Sequence, residues 1–191
     1  MARPPRYCPP DIPQHVTQRG NNRADCFLNT LDYAFFIHCL NEASLKSCVD
    51  IHAWVLMTNH FHLLATPHRE SGLSLMMQDL GRRYVRYFNF VHERSGTLWE
   101  GRFKSRMVES SQYLFECYRY IELNPVRAGM VQDPEEYHWS SYASNALGKQ
   151  SGLITYHPEY MKLGNNPEKR MLNYLEFLNL GSDQLNKSAG I

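Results

Sequence analysis

The sequence predicts an α+β fold: a ferredoxin-like antiparallel sheet with helices packed on one face, followed by a helical C-terminal extension. Three observations carry this expectation. Short β-type runs alternate with longer helical ones in the order strand–helix–hairpin–helix–strand–helix, which the split βαβ arrangement accommodates best. The run Trp54-Val55-Leu56-Met57-Thr58-Asn59-His60-Phe61-His62-Leu63-Leu64-Ala65 is apolar, β-branched or aromatic apart from a few polar positions. Its Thr-Asn pair reads as a tight turn between two strands. Two further stretches, from residue 30 and over 73–92, carry apolar residues at three- and four-residue spacing, the period of a helix.

Taken in order, residues 1–13 are rich in proline and basic residues and read as an extended arm. Residues 15–19 form a first strand, ended by Gly20-Asn21-Asn22, a strong turn signal. The first helix begins at Thr30, places Asp32 in its first turn, and aligns Leu31, Ala34, Phe35, Ile37, Leu40 and Leu45. The hairpin spans about 50–67. A second helix over 73–92 gathers Leu75, Met76, Leu80, Tyr84, Tyr87, Phe88 and Val91, and Ser95-Gly96 stops it. Residues 102–108 suit another strand. Ser110 is a credible cap for a third helix over 113–123, which Pro125 and Gly129 end. Beyond Met130 come a loop at Gln132-Asp133-Pro134, a compact aromatic turn at Trp139-Ser140-Ser141-Tyr142, and a last helix over 167–179. The small, polar residues 181–191 are expected to fray. This organises the chain as a catalytic-type domain with its N-terminal arm over 1–145 and a C-terminal extension over 146–191.

Composition narrows the class. Among 191 residues, 20 basic against 19 acidic side chains leave the charge near neutral. Total charge therefore does not announce a nucleic-acid partner, although a local basic patch can. Five scattered cysteines, Cys8, Cys26, Cys39, Cys48 and Cys117, show no Cys-x-x-Cys spacing. That argues against a disulfide framework or zinc ribbon and for a reducing compartment. No apolar stretch approaches the ~18 residues that span a membrane, and Met-Ala-Arg-Pro-Pro-Arg lacks the apolar core of a secretion signal. The expected location is cytoplasmic, with no membrane partner.

Three constellations carry chemistry. On a strand, residues two apart share a face, so His60 and His62 present two imidazoles together while Phe61 enters the opposite layer. That pair is half of a divalent-metal site, or simply two histidines on a solvated strand face. In Tyr118-Arg119-Tyr120-Ile121-Glu122-Leu123-Asn124-Pro125, Tyr120 and Asn124 share a helix face at i,i+4, with Asn124 at the helix exit before proline. A tyrosine hydroxyl can attack phosphorus and form a covalent intermediate, and an amide oxygen one turn away can complete a metal shell. Spacing alone does not choose between Tyr118 and Tyr120, although only Tyr120 has an amide partner at i+4, and both tyrosines also suit ordinary amphipathic packing. In the third constellation, Arg82 and Arg86 put positive charge on one helix face, and Trp99, Arg102 and Lys104 follow. Arginines interleaved with aromatic rings suit phosphates and stacked bases, with Trp99 as the stacking candidate. A solvated basic face is the plainer alternative.

These pieces in this order resemble the REP-associated tyrosine transposases, a branch of the HUH single-strand DNA transposases. The name-giving His, apolar, His motif is His60-Phe61-His62, and the nucleophile segment is similar to Tyr120-Ile121-Glu122-Leu123-Asn124-Pro125-Val126-Arg127. The blocks His15-Val16-Thr17-Gln18-Arg19-Gly20-Asn21-Asn22 and Leu98-Trp99-Glu100-Gly101-Arg102-Phe103 also match, so the likeness covers roughly 10–145. Asn124 departs from the better-known insertion-sequence relatives, which carry glutamine there. The resemblance selects Tyr120 as nucleophile. It implies Mg²⁺ or Mn²⁺ held by His60, His62 and Asn124, and nicking and joining of single-stranded or palindromic hairpin DNA through a 5′-phosphotyrosine. It leaves monomer or homodimer open. Two other readings compete: a non-enzymatic hairpin-binding regulator that keeps only the fold, and a metallohydrolase that uses water.

Overall fold

The structure, a computed structural model, describes residues 7–188, of which 180–188 are described by backbone alone. Four strands, β1 (Gln14–Arg19), β2 (Val49–Leu56), β3 (His60–Pro67) and β4 (Lys104–Met107), form one sheet in the order β2-β3-β1-β4. Every neighbouring pair is antiparallel. The two long crossovers contain α1 (Thr30–Ser47), between β1 and β2, and α2 (Gly72–Val91), between β3 and β4. This is the expected ferredoxin-like α+β core.

Local chemistry explains the elements. Just past β1, Gly20 lets the chain fold closely on itself: a Cβ there would lie 2.1 Å from the Ala24 carbonyl oxygen. Asn29 caps α1 by accepting from the backbone N–H groups of Leu31 and Asp32, and Asp32 returns a carboxylate to the Asn29 N–H. That reciprocal box satisfies otherwise orphaned donors. Strand alternation sends Val16, Trp54, Leu56, Phe61 and Leu63 to one face, where they pack on α1 and α2.

The expectation of helices on one face holds for α1 and α2. The opposite face gains a layer that the sequence did not announce. Val55 and Leu64 point into it, covered by α3 (Ser111–Glu122), by a short α5 (Tyr142–Asn145) and α6 (Pro158–Met161), and by α7 (Pro167–Ser188). The turn at Trp139–Tyr142 lies along the β2 edge: the Leu56 N–H donates to the Trp139 carbonyl and the Ser141 N–H to that of Trp54, both at 2.9 Å. Residues 153–155 follow, with the Thr155 N–H donating to the Ile51 carbonyl at 2.9 Å. An otherwise open sheet edge is thus covered.

Two boundaries differ from expectation. The third helix closes where expected, but Asn124, expected at a helix exit, stays helical. The chain breaks at Leu123 (φ −91°, ψ 5°), and Asn124 opens a one-turn α4 (Asn124–Arg127). Pro125 is tolerated there because its missing N–H falls in the first turn. α7 also runs past Gly181 to Ser188; the last three residues of the expected frayed end, like residues 1–6 of the arm, lie outside the described residues. Among the described residues no helix is long and apolar enough to cross a membrane.

The buried carboxyl of Glu122 ties this second layer together. It accepts from Ser141 Oγ at 2.5 Å, Asn145 Nδ2 at 2.7 Å and the Tyr174 hydroxyl at 2.8 Å. Burial outweighs these donors and pushes its pKa up to about 7. Because the folded pKa exceeds the unfolded one, this group's stabilisation is full below pH ~4.5 and is lost as pH rises through 7. Glu122→Gln keeps an acceptor and offers an N–H to Tyr174. In urea unfolding, the stability difference between variant and wild type is expected to shift in the variant's favour from pH 5 to pH 8. Glu122→Ala orphans three donors and should cost about 3 kcal/mol or more.

Candidate active site

The site forms where β3 and β1 lie side by side. Their register places His60 opposite Arg19 and His62 opposite Thr17, and directly opposed residues share a face. The two imidazole rings stand 5.1 Å apart between centroids. Asn59, in the hairpin turn, fixes the tautomer of His60. The Asn59 amide N–H₂ donates to the Arg23 carbonyl at 3.1 Å, which turns Oδ1 toward His60 Nδ1 at 2.6 Å. An amide oxygen only accepts, so Nδ1 carries the proton and Nε2 the lone pair. His62 Nδ1 lies 2.9 Å from both Thr17 Oγ1 and His15 Nε2. No protein atom among the described residues hydrogen-bonds either Nε2.

Both imidazoles are neutral at ordinary pH. Burial, reinforced by His15, His60 and Arg19, pushes His62 down to about 3. Burial and then Arg19 lower His60 as well. A neutral ring anchored through Nδ1 and open at Nε2 is the form in which histidine binds a metal.

α3 crosses this face and separates the two tyrosines. Residues two apart on a helix point about 200° apart, so one goes in and one stays out. Tyr118 is fully buried against Tyr174 and Tyr160. Tyr120 is 40% exposed, its ring edge-on to His62 at 5.2 Å and to His15 at 5.7 Å. The Arg127 guanidinium lies 5.4 Å from the Tyr120 ring centre. Asn124 is half-buried, and its side chain hydrogen-bonds to nothing among the described residues, so the amide oxygen is uncommitted. No cluster of three His, Cys, Asp or Glu suited to a metal occurs among the described residues. The donor set seen together is therefore two imidazoles, with the Asn124 amide in α4, four residues beyond Tyr120. That chemistry fits a divalent ion with coordination positions left for substrate.

The basic residues divide. Lys104 pairs with Thr17 and so lies on the histidine face. With Arg19 and Arg102 it lines a cavity of about 660 Å³ beside β1. Arg82 and Arg86 are exposed, but they lie on α2, in the layer on the other side of the sheet. Trp99 corrects the expectation of a base-stacking ring. It is 8% exposed and sits in the α1/α2 core between Phe61 and Tyr84.

Sequence reasoning missed His15, Thr17 and Arg127. His15 showed no metal-type spacing, and its signal was its place two residues before Thr17 on β1, legible only once β1 is paired with β3.

A family model described as "Transposase IS200 like" matches residues 10–124. Among solved structures, the chain is similar to one described as a REP-associated tyrosine transposase bound to a REP hairpin. That match has a TM-score of 0.64 at 19% identity, covering 82% of this chain and 93% of that one. A putative transposase from Deinococcus radiodurans R1 aligns with a TM-score of 0.44 at 16% identity, over 63% of this chain and 96% of that one. A search of curated proteins found no match.

Proposed function

Because the chain belongs to the family of IS200-like transposases, we propose that it nicks and rejoins single-stranded DNA through a covalent bond to Tyr120. The observation that carries this reading is the exposed Tyr120 ring standing against the neutral, Nδ1-anchored His62. The neighbour of the same fold is described as bound to a REP hairpin, which supports folded hairpin DNA as the substrate class here.

His60 and His62, with the Asn124 amide oxygen, would hold a divalent cation. Imidazole is a softer donor than Mg²⁺ ordinarily takes, which tips the pair toward Mn²⁺. When bound, such an ion supplies Lewis-acid polarisation of the scissile phosphate. The protein's own part is positional. Thr17, His15 and Asn59 hold the imidazoles, and α3 holds the phenol beside them. Tyr120 Oη forms a bond to phosphorus as the bond to the 3′-oxygen breaks. The phenol proton is given up and the departing 3′-oxygen gains one. The 5′ side stays on the protein, and attack by a 3′-hydroxyl reverses the step, so no nucleotide cofactor is needed. The Arg127 guanidinium, 5.4 Å from the Tyr120 ring centre, would offset charge developing on a phosphate that meets Tyr120.

Phosphate contacts along the approach fall to Arg102 and Lys104, joined by Arg19. Arg82 and Arg86 form a separate basic patch that a longer duplex arm could reach. Lys104→Ala is expected to weaken hairpin binding across sequences and to flatten its salt dependence by a slope of roughly 0.7. Fluorescence anisotropy over a salt series checks this, and an unchanged slope would remove Lys104 from the interface.

The test of the reading as a whole is incubation of a hairpin DNA library with the protein and Mn²⁺ or Mg²⁺, followed by a search for protein–DNA adducts stable to denaturation. Cleavage without an adduct would point to water as the nucleophile.

A further inference from the structure

Between β4 and α3, beside Tyr120, lies a second cavity of about 470 Å³. We infer that it seats the base of the nucleotide adjoining the scissile phosphate, drawn out of the strand. This inference rests on Tyr120 being the nucleophile, since Tyr120 forms part of the cavity wall and thereby sets which nucleotide is nearest.

The lining is more than an anion would need. Tyr113 offers an aromatic wall, with the Arg106 guanidinium 5.1 Å from its ring centre. Arg119 is fixed by donating to the Phe177 carbonyl at 2.6 Å and by lying 3.9 Å over the Phe177 ring. Its Nε–H is buried behind that contact, so Arg119 serves as part of the rigid wall. Glu116, on the same wall, is bound by Gln112 through Oε1 at 3.1 Å, leaving Oε2 as an acceptor for an exocyclic amine.

An aromatic side chain and a carboxylate acceptor at one cavity suit a nucleobase. Extruded bases are held in this way, by stacking on rings and by hydrogen bonds to their edges. The size agrees with ordinary ligand pockets of about 300–1,000 Å³. Arg106 and Arg127 at the cavity then neutralise the phosphates on either side. The arrangement also gives the C-terminal extension a part in the site, because Phe177 of α7 is what holds Arg119.

The test uses full-length protein and two fluorescent single-stranded pentanucleotide probes, pentathymidylate and its fully abasic counterpart. Stacking on one aromatic side chain is lost in Tyr113→Leu, so that variant is expected to bind pentathymidylate about tenfold more weakly while binding the abasic probe as wild type does. Tyr113→Phe should bind both normally. Arg127→Gln should weaken both alike. Equal losses on the two probes in Tyr113→Leu, no loss on either, or no binding of pentathymidylate by the wild type would overturn the inference. Adduct formation on hairpin DNA, scored on the same wild-type preparation, keeps the two readings apart. An adduct without base-dependent loss in Tyr113→Leu refutes the base seat alone, whereas no adduct refutes the Tyr120 reading on which it stands.

Discussion

Tyr120→Phe is expected to bind hairpin DNA and metal as the wild type does, yet to form no adduct and no nick. The substitution removes one hydroxyl from a ring that is already 40% exposed, so packing against His62 and His15 survives. A tyrosine kept for packing tolerates that change with modest loss. A nucleophile does not, and removing one typically costs roughly 10⁴-fold or more. Tyr118→Phe is the internal control. Its hydroxyl is enclosed beneath α7, away from the histidines, so cleavage should proceed. Denaturing gels of end-labelled hairpin with each variant decide the matter, and an adduct persisting in Tyr120→Phe would show that another side chain attacks.

The second large effect is at the imidazoles. His60→Ala or His62→Ala should abolish cleavage while largely sparing hairpin binding, because each removes one of two nitrogen donors without touching the basic residues. Thr17→Val, which acts only by holding His62, should lower metal affinity by about 10–100-fold. Isothermal titration with Mn²⁺, beside a cleavage assay, separates these outcomes. The pH dependence follows from burial. An ordinary imidazole becomes protonated near 6.5, but His62 is held down to about 3 and His60 below its usual value. Protons compete with a ligand lone pair only below the ring's own pKa, so Mn²⁺ binding should give way at a pH below that of an ordinary imidazole. Binding lost just below 6.5, or full cleavage in excess chelator, would contradict this.

How far the sequence leads is set by the range of the interactions involved. The sheet strands and the three main helices were legible because alternation, helical period and turn residues act over a few positions. His60 and His62 were legible for the same reason. Tyr118 and Tyr120 could not be told apart by spacing, since what buries Tyr118 is α7, whose Tyr174 also reaches Glu122 across 52 residues. His15 was hidden until β1 was paired with β3, a contact 47 residues apart. Trp99 misled because arginines surround it in sequence, while its own ring packs inward on Phe61. Arg82 and Arg86 share a helix face as their spacing implied, but spacing says nothing about which side of the sheet that helix covers. The motif resemblance held at the level of the family, because it weighed several such segments jointly.

The central claim is that one named oxygen, Tyr120 Oη, becomes joined to the 5′-phosphate at the break. Peptide mapping of the purified adduct tests it most directly. Arg119 separates the two tyrosines, so trypsin releases Tyr120 at the head of the peptide ending at Arg127, apart from the peptide that ends in Tyr118-Arg119. After nuclease trimming, fragment-ion mass spectrometry should locate the phosphodiester remnant on Tyr120, with the released DNA fragment ending in a free 3′-hydroxyl. A remnant on Tyr118, on a histidine or on a serine, or a 3′-phosphate on the released strand, would contradict the account.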